Sequence, residues 1–333
     1  MDLVERLDRL CRPGQPDRQL RAAILAAISR QVPFDAHVFA LTDPATGVIA
    51  SPHAAVATVP EARLPDLIRE RYARDADAWR RWLRAEFGVS GAALVTMADR
   101  YGRWGFLELW RVASPFSPAE RHAIAALGPV LAKALRGTVA ETFAEPPAAS
   151  CSPGDDQAAA SGVLLLDGEL RVRAESASAT AALRRLLPPM ADTPPVPAIA
   201  FNVAAALLAI ERGAWTPPAA GIADAAARVR PGDGGWVTAR ATRLADGIAV
   251  TLAPCTPAER IDLYGRAHGL SPRETEVLDL VVRGLGSREV AASLVIAPTT
   301  AEDHLRALLA KTGTTSRAQL IGRALGATVG DLP

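Results

Sequence analysis

"LSPRETEVLDLVVRGLGSREVAASLVIAPTTAEDHLRALLAKTGTTSRAQLI", residues 270–321, reads as four short helices in succession. "SPRE" at 271–274 places serine at an N-cap and proline at the first helical position, with a glutamate that can reach back to the cap's own N–H. Val277, Leu278 and Val281 then share one face of a helix over 271–283. Gly284 and Gly286 suit the turn into a second helix, 287–294. "VIAP" is a further turn, and Pro298 opens a third helix whose Ala301, Leu305, Leu308 and Leu309 form one stripe. Ser316 starts a fourth, with Gln319 as its cap partner and Leu320 and Ile321 on its apolar side.

The rest of the chain is organised differently. "SPAE" at 117–120 and "TPAE" at 256–259 repeat the same helix-start signature. In residues 1–137, a helix over about 17–31 precedes extended segments around 35–50. Two strands over 91–111 meet at Asp99–Arg103, and the helix 117–136 closes the unit. Residues 138–160, with "EPPAASCSPGDD", have linker composition. Residues 161–255 open on two strands turning at Asp167-Gly168. The helix "ATAALRRLL" and the apolar run 196–210 follow, and strands over 227–254 end this part. That apolar run is too short to span a bilayer and contains Asn202, so it reads as a buried core helix. Residues 256–269 form a connecting helix, and 270–326 the helical segment. The expected fold class is therefore multidomain, two α+β domains followed by an all-α four-helix domain.

The four-helix segment resembles the DNA-binding domain of LuxR-type transcriptional regulators. Its opening pattern, L-S/T-x-R-E-x-E-V-L, is met by Leu270, Ser271, Arg273, Glu274, Glu276, Val277 and Leu278. Gly284, Arg288-Glu289-Val290-Ala291, Leu294, Thr300, His304, Lys311, Gly313 and Arg317 continue the match, with Ala301 in a valine place. The resemblance implies a helix-turn-helix whose third helix enters the major groove of double-stranded DNA. It also implies pairing through the fourth helix (Leu320, Ile321), so that a homodimer meets a near-palindromic promoter site, with RNA polymerase as a further partner. By pattern alone, residues 1–137 resemble a GAF domain and 161–255 a PAS domain, both sensor folds.

One departure from the family stands out. Glu302 occupies a position that is usually lysine, beside Asp303 and one turn before Arg306. From 269 to 326 there are seven cations (Arg273, Arg283, Arg288, Arg306, Lys311, Arg317, Arg323) and six anions (Glu274, Glu276, Asp279, Glu289, Glu302, Asp303). Each neutralised phosphate contributes roughly −0.9 to the log–log salt slope, so few spare cations predict modest nonspecific binding. Carboxylates near a helix start interact favourably with its dipole, worth about 0.3–1 kcal/mol. Alternatively, a carboxylate accepts from cytosine N4–H while Arg306 pairs with guanine. On the second account Glu302, Asp303 and Arg306 read bases, and Ser287, Arg288, Thr299, Thr300, Lys311 and Arg317 anchor phosphates. His304 reads as a partly buried packing residue.

Composition excludes several other classes. The 333 residues carry 37 basic and 36 acidic side chains, and a net charge of +1 gives no global pull toward DNA or anionic lipid. Cys11, Cys151 and Cys255 are scattered, without metal-ligand or disulfide spacing, as in a reducing cytoplasm. The start has acids where a signal peptide needs an apolar core, so the expectation is a cytoplasmic protein without a membrane segment. Lys133 and Lys311 are the only lysines, which argues against a phospho-receiver and leaves no P-loop. No hydrolase, zinc-protease or dinucleotide motif suggests an enzyme, and no cofactor is implied. A small-molecule or protein effector is expected instead. Trp79, Trp82, Trp104 and Trp110 are candidate pocket residues, against the plainer reading that they are core. The alternative to a regulator is a scaffold with a degenerate helix-turn-helix.

Overall fold

The computed structural model describes residues 3–11, 14–15, 17–144, 161–186, 197–219, 225–232 and 234–326. They fall into two compact units, one drawn from Met1–Leu135 and Cys151–Pro254, the other from Arg136–Ser150 and Cys255–Pro333.

The larger unit begins with α1 (Leu3–Leu10), α2 (Asp17–Ser29), β1 (Ala36–Thr42) and β2 (Ile49–Ala55). It continues through α3 (Leu64–Ala73), α4 (Ala76–Phe87), β3 (Gly91–Asp99), β4 (Gly102–Arg111) and α5 (Pro118–Ala125). Helix α6 (Gly128–Thr142) follows, and the boundary between the units falls within it. The four strands form one antiparallel sheet in the order β2-β1-β4-β3. The expected closing helix over 117–136 is two helices, α5 and α6, with Ala126 and Leu127 between them. Gly128 starts the second because it passes close to β3: a Cβ there would stand 3.0 Å from the Thr96 carbonyl oxygen. Taken together, 118–142 is long and apolar enough to cross a membrane. Here it buries Ile124, Leu131, Ala132 and Leu135. Of the expected linker, only 138–144 are described, and 138–142 are the last turns of α6; the rest, with Cys151, lies outside the described residues.

A second antiparallel sheet, β6-β5-β9-β8-β7, is built from β5 (Gly162–Leu166), β6 (Val172–Glu175), β7 (Ala226–Val229), β8 (Val237–Leu244) and β9 (Gly247–Pro254). Between its strands run α7 (Ala177–Leu186) and α8 (Ala198–Glu211). Helix α8 is apolar almost all round, and such a helix belongs in a core. Its buried Phe201, Val203 and Ala204 share one hydrophobic cluster with Leu164 and Val250 of the second sheet and Ala40, Ile49 and Phe106 of the first. The two α+β regions expected from sequence are present, and they share this core. Asn202 is satisfied inside it: its Nδ2 donates to Ala198 O (2.7 Å), and its Oδ1 accepts from the Tyr72 hydroxyl (3.2 Å).

A polar clamp joins the sheets as well. Asp43, in the β1–β2 turn, is buried and accepts from Arg228 of β7 at Nε (2.6 Å), Nη2 (2.9 Å) and the backbone N–H (3.0 Å). Two turn amides, Ala45 and Thr46, also donate to it, and the Thr46 hydroxyl donates to Ala226 O at 2.6 Å. Burial pushes the Asp43 carboxyl up, but the Arg228 charge and hydrogen bonds overcome this and hold it below its ordinary value.

The smaller unit holds α9 (Pro257–Ala267), α10 (Pro272–Val282), α11 (Ser287–Leu294), α12 (Pro298–Thr312) and α13 (Arg317–Leu325). The three predicted capping boxes all form, at Ser117/Glu120, Thr256/Glu259 and Ser271/Glu274.

Candidate nucleic-acid interface

Glu274 does two jobs in the smaller unit. Its Oε2 accepts from the Ser271 N–H (2.7 Å), completing the cap of α10, and from Lys311 Nζ (2.7 Å) near the end of α12. Burial would raise its carboxyl, yet Lys311 and Ser271 hold it below the usual value. Val277, Leu278 and Val281 of α10 and Val290 and Ala291 of α11 are buried, as are Ala301 and Leu308 of α12. This core orients α12 and leaves its other face outward.

The turn before α12 is tight. Val295, the C-cap of α11, has φ 53° and is 91% exposed, a left-handed conformation that a β-branched residue rarely adopts. Ile296 N–H then bonds Ala291 O at 3.0 Å, and Ala297 precedes Pro298 at the first helical position. No side chain caps this helix start.

The outward face of α12 carries Thr299, Thr300, Glu302, Asp303 and Arg306, all exposed. The structure therefore brings the three expected base readers onto one exposed strip. The first turn of α12 contains no acid. Glu302 and Asp303 lie in the second, where the dipole's influence has faded, so helix stabilisation does not explain them well. Asp303 pairs with Arg306 along the helix (Oδ1 to Nη1, 2.6 Å). Glu302 makes no ion pair with a described residue.

The expected phosphate anchors divide. Arg288 is exposed, and Ser287 is half-buried at the start of α11. Lys311 is taken by Glu274, and Arg317 donates through Nη2 to the carbonyls of Val281, in the last turn of α10, and Leu285, just beyond it. Both side chains thus hold the domain together rather than standing free for phosphate. Arg273 pairs with Glu276, Arg283 with Asp279, and Arg323 donates to the Thr312 and Gly313 carbonyls. Among the described residues of α10–α13, Arg288 is the cation without an acid or carbonyl partner.

The fourth helix also differs from expectation. Leu320 is 0% exposed and offers no surface to a second copy; Ile321 is half-buried. Helix α9 packs against α13, and its Arg260 donates to Ala324 O (2.9 Å) and Arg323 O (3.2 Å). Cations suit that end of a helix. The same guanidinium lies over the Phe143 ring at 4.9 Å, which in turn meets Tyr264 edge-on at 5.1 Å. A sequence pattern showing only an apolar side to α13 cannot tell which element covers it.

The tryptophans expected to line a pocket sit mainly in the core. Trp79, Trp104 and Trp110 are at most 3% exposed, and Trp82 stacks on Trp79 at 5.3 Å. Trp79 Nε1 donates to the buried Glu108 at 2.5 Å, and Trp104 Nε1 donates to Asp99 at 2.9 Å. The plainer reading of these residues fits their placement. Trp215, which is not among the four tryptophans expected at a pocket, lines a cavity.

A core of α10–α12, a turn of Leu294–Ala297 and an outward-facing third helix define a helix-turn-helix. Residues 268–324 match the model of "Bacterial regulatory proteins, luxR family", and this segment is a LuxR-family helix-turn-helix domain. It is 46% identical over 55 residues to the Response regulator Rre1 of Synechocystis sp., a stretch covering 16% of this chain and 24% of that protein. A solved structure, VqmA bound to DPO, is 24% identical over 32% of this chain and 50% of its own, with a TM-score of 0.17, too low to relate the two folds. The chain thus spans about a quarter of the curated relative and half of the structural one.

Proposed function

We propose that this chain is a sequence-specific DNA-binding transcriptional regulator, acting in the cytoplasm as a homodimer on a near-palindromic promoter site. Its larger unit, GAF-like and PAS-like in character, senses a small molecule or protein and sets the activity of the helix-turn-helix; RNA polymerase is its partner at the promoter. The observation that carries the reading is the exposed strip Glu302, Asp303 and Arg306 on a LuxR-family third helix. An unpaired Glu302 suits acceptance from cytosine N4–H, and Arg306, released from Asp303, suits guanine O6/N7. Thr299, Thr300, Ser287 and Arg288 supply the phosphate contacts. Nothing in this reading requires catalysis or a cofactor.

A second reading, a scaffold that no longer binds DNA, is favoured by the internal engagement of six of the seven cations around α10–α13. Selection from a random duplex pool by the full chain at two salt concentrations separates the two. The regulator enriches a site containing C·G pairs at both salts. The scaffold enriches nothing even at the lower one.

A further inference from the structure

A cavity of about 100 Å³ lies within the larger unit, under α3, where the first sheet meets the loop after α8. Its walls are built with two kinds of chemistry. Ile49, Phe106 and Trp215 give apolar and aromatic surface. Arg71, Arg74 and Arg103 give three guanidinium groups, and no acid lines the cavity among the described residues. Gly47, at φ +72°, lets its loop close against Trp215: a Cβ there would stand 3.4 Å from the indole and 3.0 Å from Pro218.

The charges around the cavity do not cancel. Arg71 lies between the rings of Trp79 (5.6 Å) and Phe106 (5.3 Å), with its Nε 3.4 Å from buried Glu108 but making no hydrogen bond to it. Arg74 pairs through Nη2 with Glu70 at 2.7 Å, while its buried Nε has no acceptor. Arg103 has neither an acid nor a carbonyl partner for its side chain. Burial, then the like charge of Arg71, push its guanidinium below its ordinary value, which an arriving anion would reverse. Of the three lining cations, Arg71 faces Glu108 and Arg74 faces Glu70, which Arg69 also approaches at 3.5 Å; both acids lie behind the lining, and the Arg103 charge is left facing the cavity. A cationic group half out of water and without a partner is costly unless something supplies the counter-charge.

We propose that this cavity binds a small organic monocarboxylate, its carboxylate between Arg103 and Arg71 and its apolar body against Phe106 and Trp215. Arginine is suited to planar, bidentate recognition of a carboxylate. The single uncompensated charge calls for a monoanion. The exposed Thr96 and Ala214 stand on the lining, where a ligand enters. Tyr72 is held below the cavity by the Ile49 N–H (2.9 Å) and by Asn202 of α8, so an occupant of this site touches the residue that joins the sheet to the central helix. The proposal rests on the reading of the larger unit as a sensor and names the class of effector.

The test is titration calorimetry on the full chain with acetate, butyrate and benzoate, beside neutral benzamide and inorganic phosphate. Benzoate or butyrate is expected to bind saturably, with benzamide and phosphate at least about tenfold weaker. Arg103→Gln should weaken carboxylate binding by about tenfold or more, as for a lost charged hydrogen bond, and Arg103→Lys should restore part of it. Trp215→Leu, which leaves every charge in place, should weaken benzoate more than acetate, and it serves if Arg103→Gln fails to fold. The proposal falls if no carboxylate binds, if benzamide or phosphate binds as well as benzoate, or if neither variant changes affinity. Binding is read on protein without DNA, so its failure and the failure of DNA recognition are separate results.

Discussion

Replacing Asp43 by asparagine tests how the two sheets of the larger unit are held together. Five N–H groups converge on this carboxylate: three from Arg228 and one each from Ala45 and Thr46. Asparagine keeps the shape and one acceptor oxygen, but removes the charge that balances Arg228 in a buried site. Breaking a buried pair from one side costs about 3–5 kcal/mol, since the remaining charge stays out of water. At about 2–4 °C per kcal/mol for a unit of this size, Asp43→Asn should lower the melting temperature by about 6–20 °C. The measurement is paired calorimetric and urea unfolding of the wild type and variant, followed by Asp43→Asn/Arg228→Met. The double variant should recover part of the loss, because it no longer buries an unpaired cation. The carboxyl is held below its ordinary value, so its contribution is full above the unfolded value near 3.8 and disappears as pH falls through the lower folded one. The difference between wild type and Asp43→Asn should therefore shrink in acid. A loss under about 1 kcal/mol would show that the clamp is no stronger than an ordinary surface pair.

Two further perturbations concern the smaller unit. Val295→Gly should stabilise it by about 1 kcal/mol in urea unfolding, because a left-handed β-branched residue costs about 1–2 kcal/mol and glycine returns part of that as entropy; a destabilised variant would show that the turn is not strained. Burial, with the charges of Arg323 and Arg136, brings the His268 imidazole down to about 4 from its ordinary 6.5. The unfolded chain then binds the proton first, so stability falls as pH drops from about 6.5 to 4, by up to about 3 kcal/mol. His268→Gln should flatten that slope, and an unchanged slope would place the acid sensitivity elsewhere.

The sequence carried what depends on neighbours along the chain. The capping boxes, the paired strands β3 and β4, the buried α8 and the four helices of the DNA-binding segment all follow from spacings within a few residues. It did not carry what depends on distant partners. Asp43 and Arg228 are 185 residues apart, and nothing local marks either as half of an ion pair. Lys311 and Arg317 match a family pattern, but Glu274 and the carbonyls at the end of α10 that occupy them become visible only in three dimensions. The tryptophans are marked in the sequence only as large aromatics, and size alone favours the core. The cavity's arginines pass unnoticed in an arginine-rich chain until a space without acids is found around them.

Base reading by the outward strip of α12 is tested by Glu302→Ala on a selected site. Full-chain affinity for that site and for each single C·G replacement would be measured, alongside affinity for unrelated DNA. The variant should lose about 1–3 kcal/mol of discrimination at one C·G pair in each half-site. It should also bind unrelated DNA more tightly, because one phosphate-repelling charge is gone. Unchanged discrimination at every position would mean that Glu302 is an ordinary solvent-exposed residue with no part in base reading.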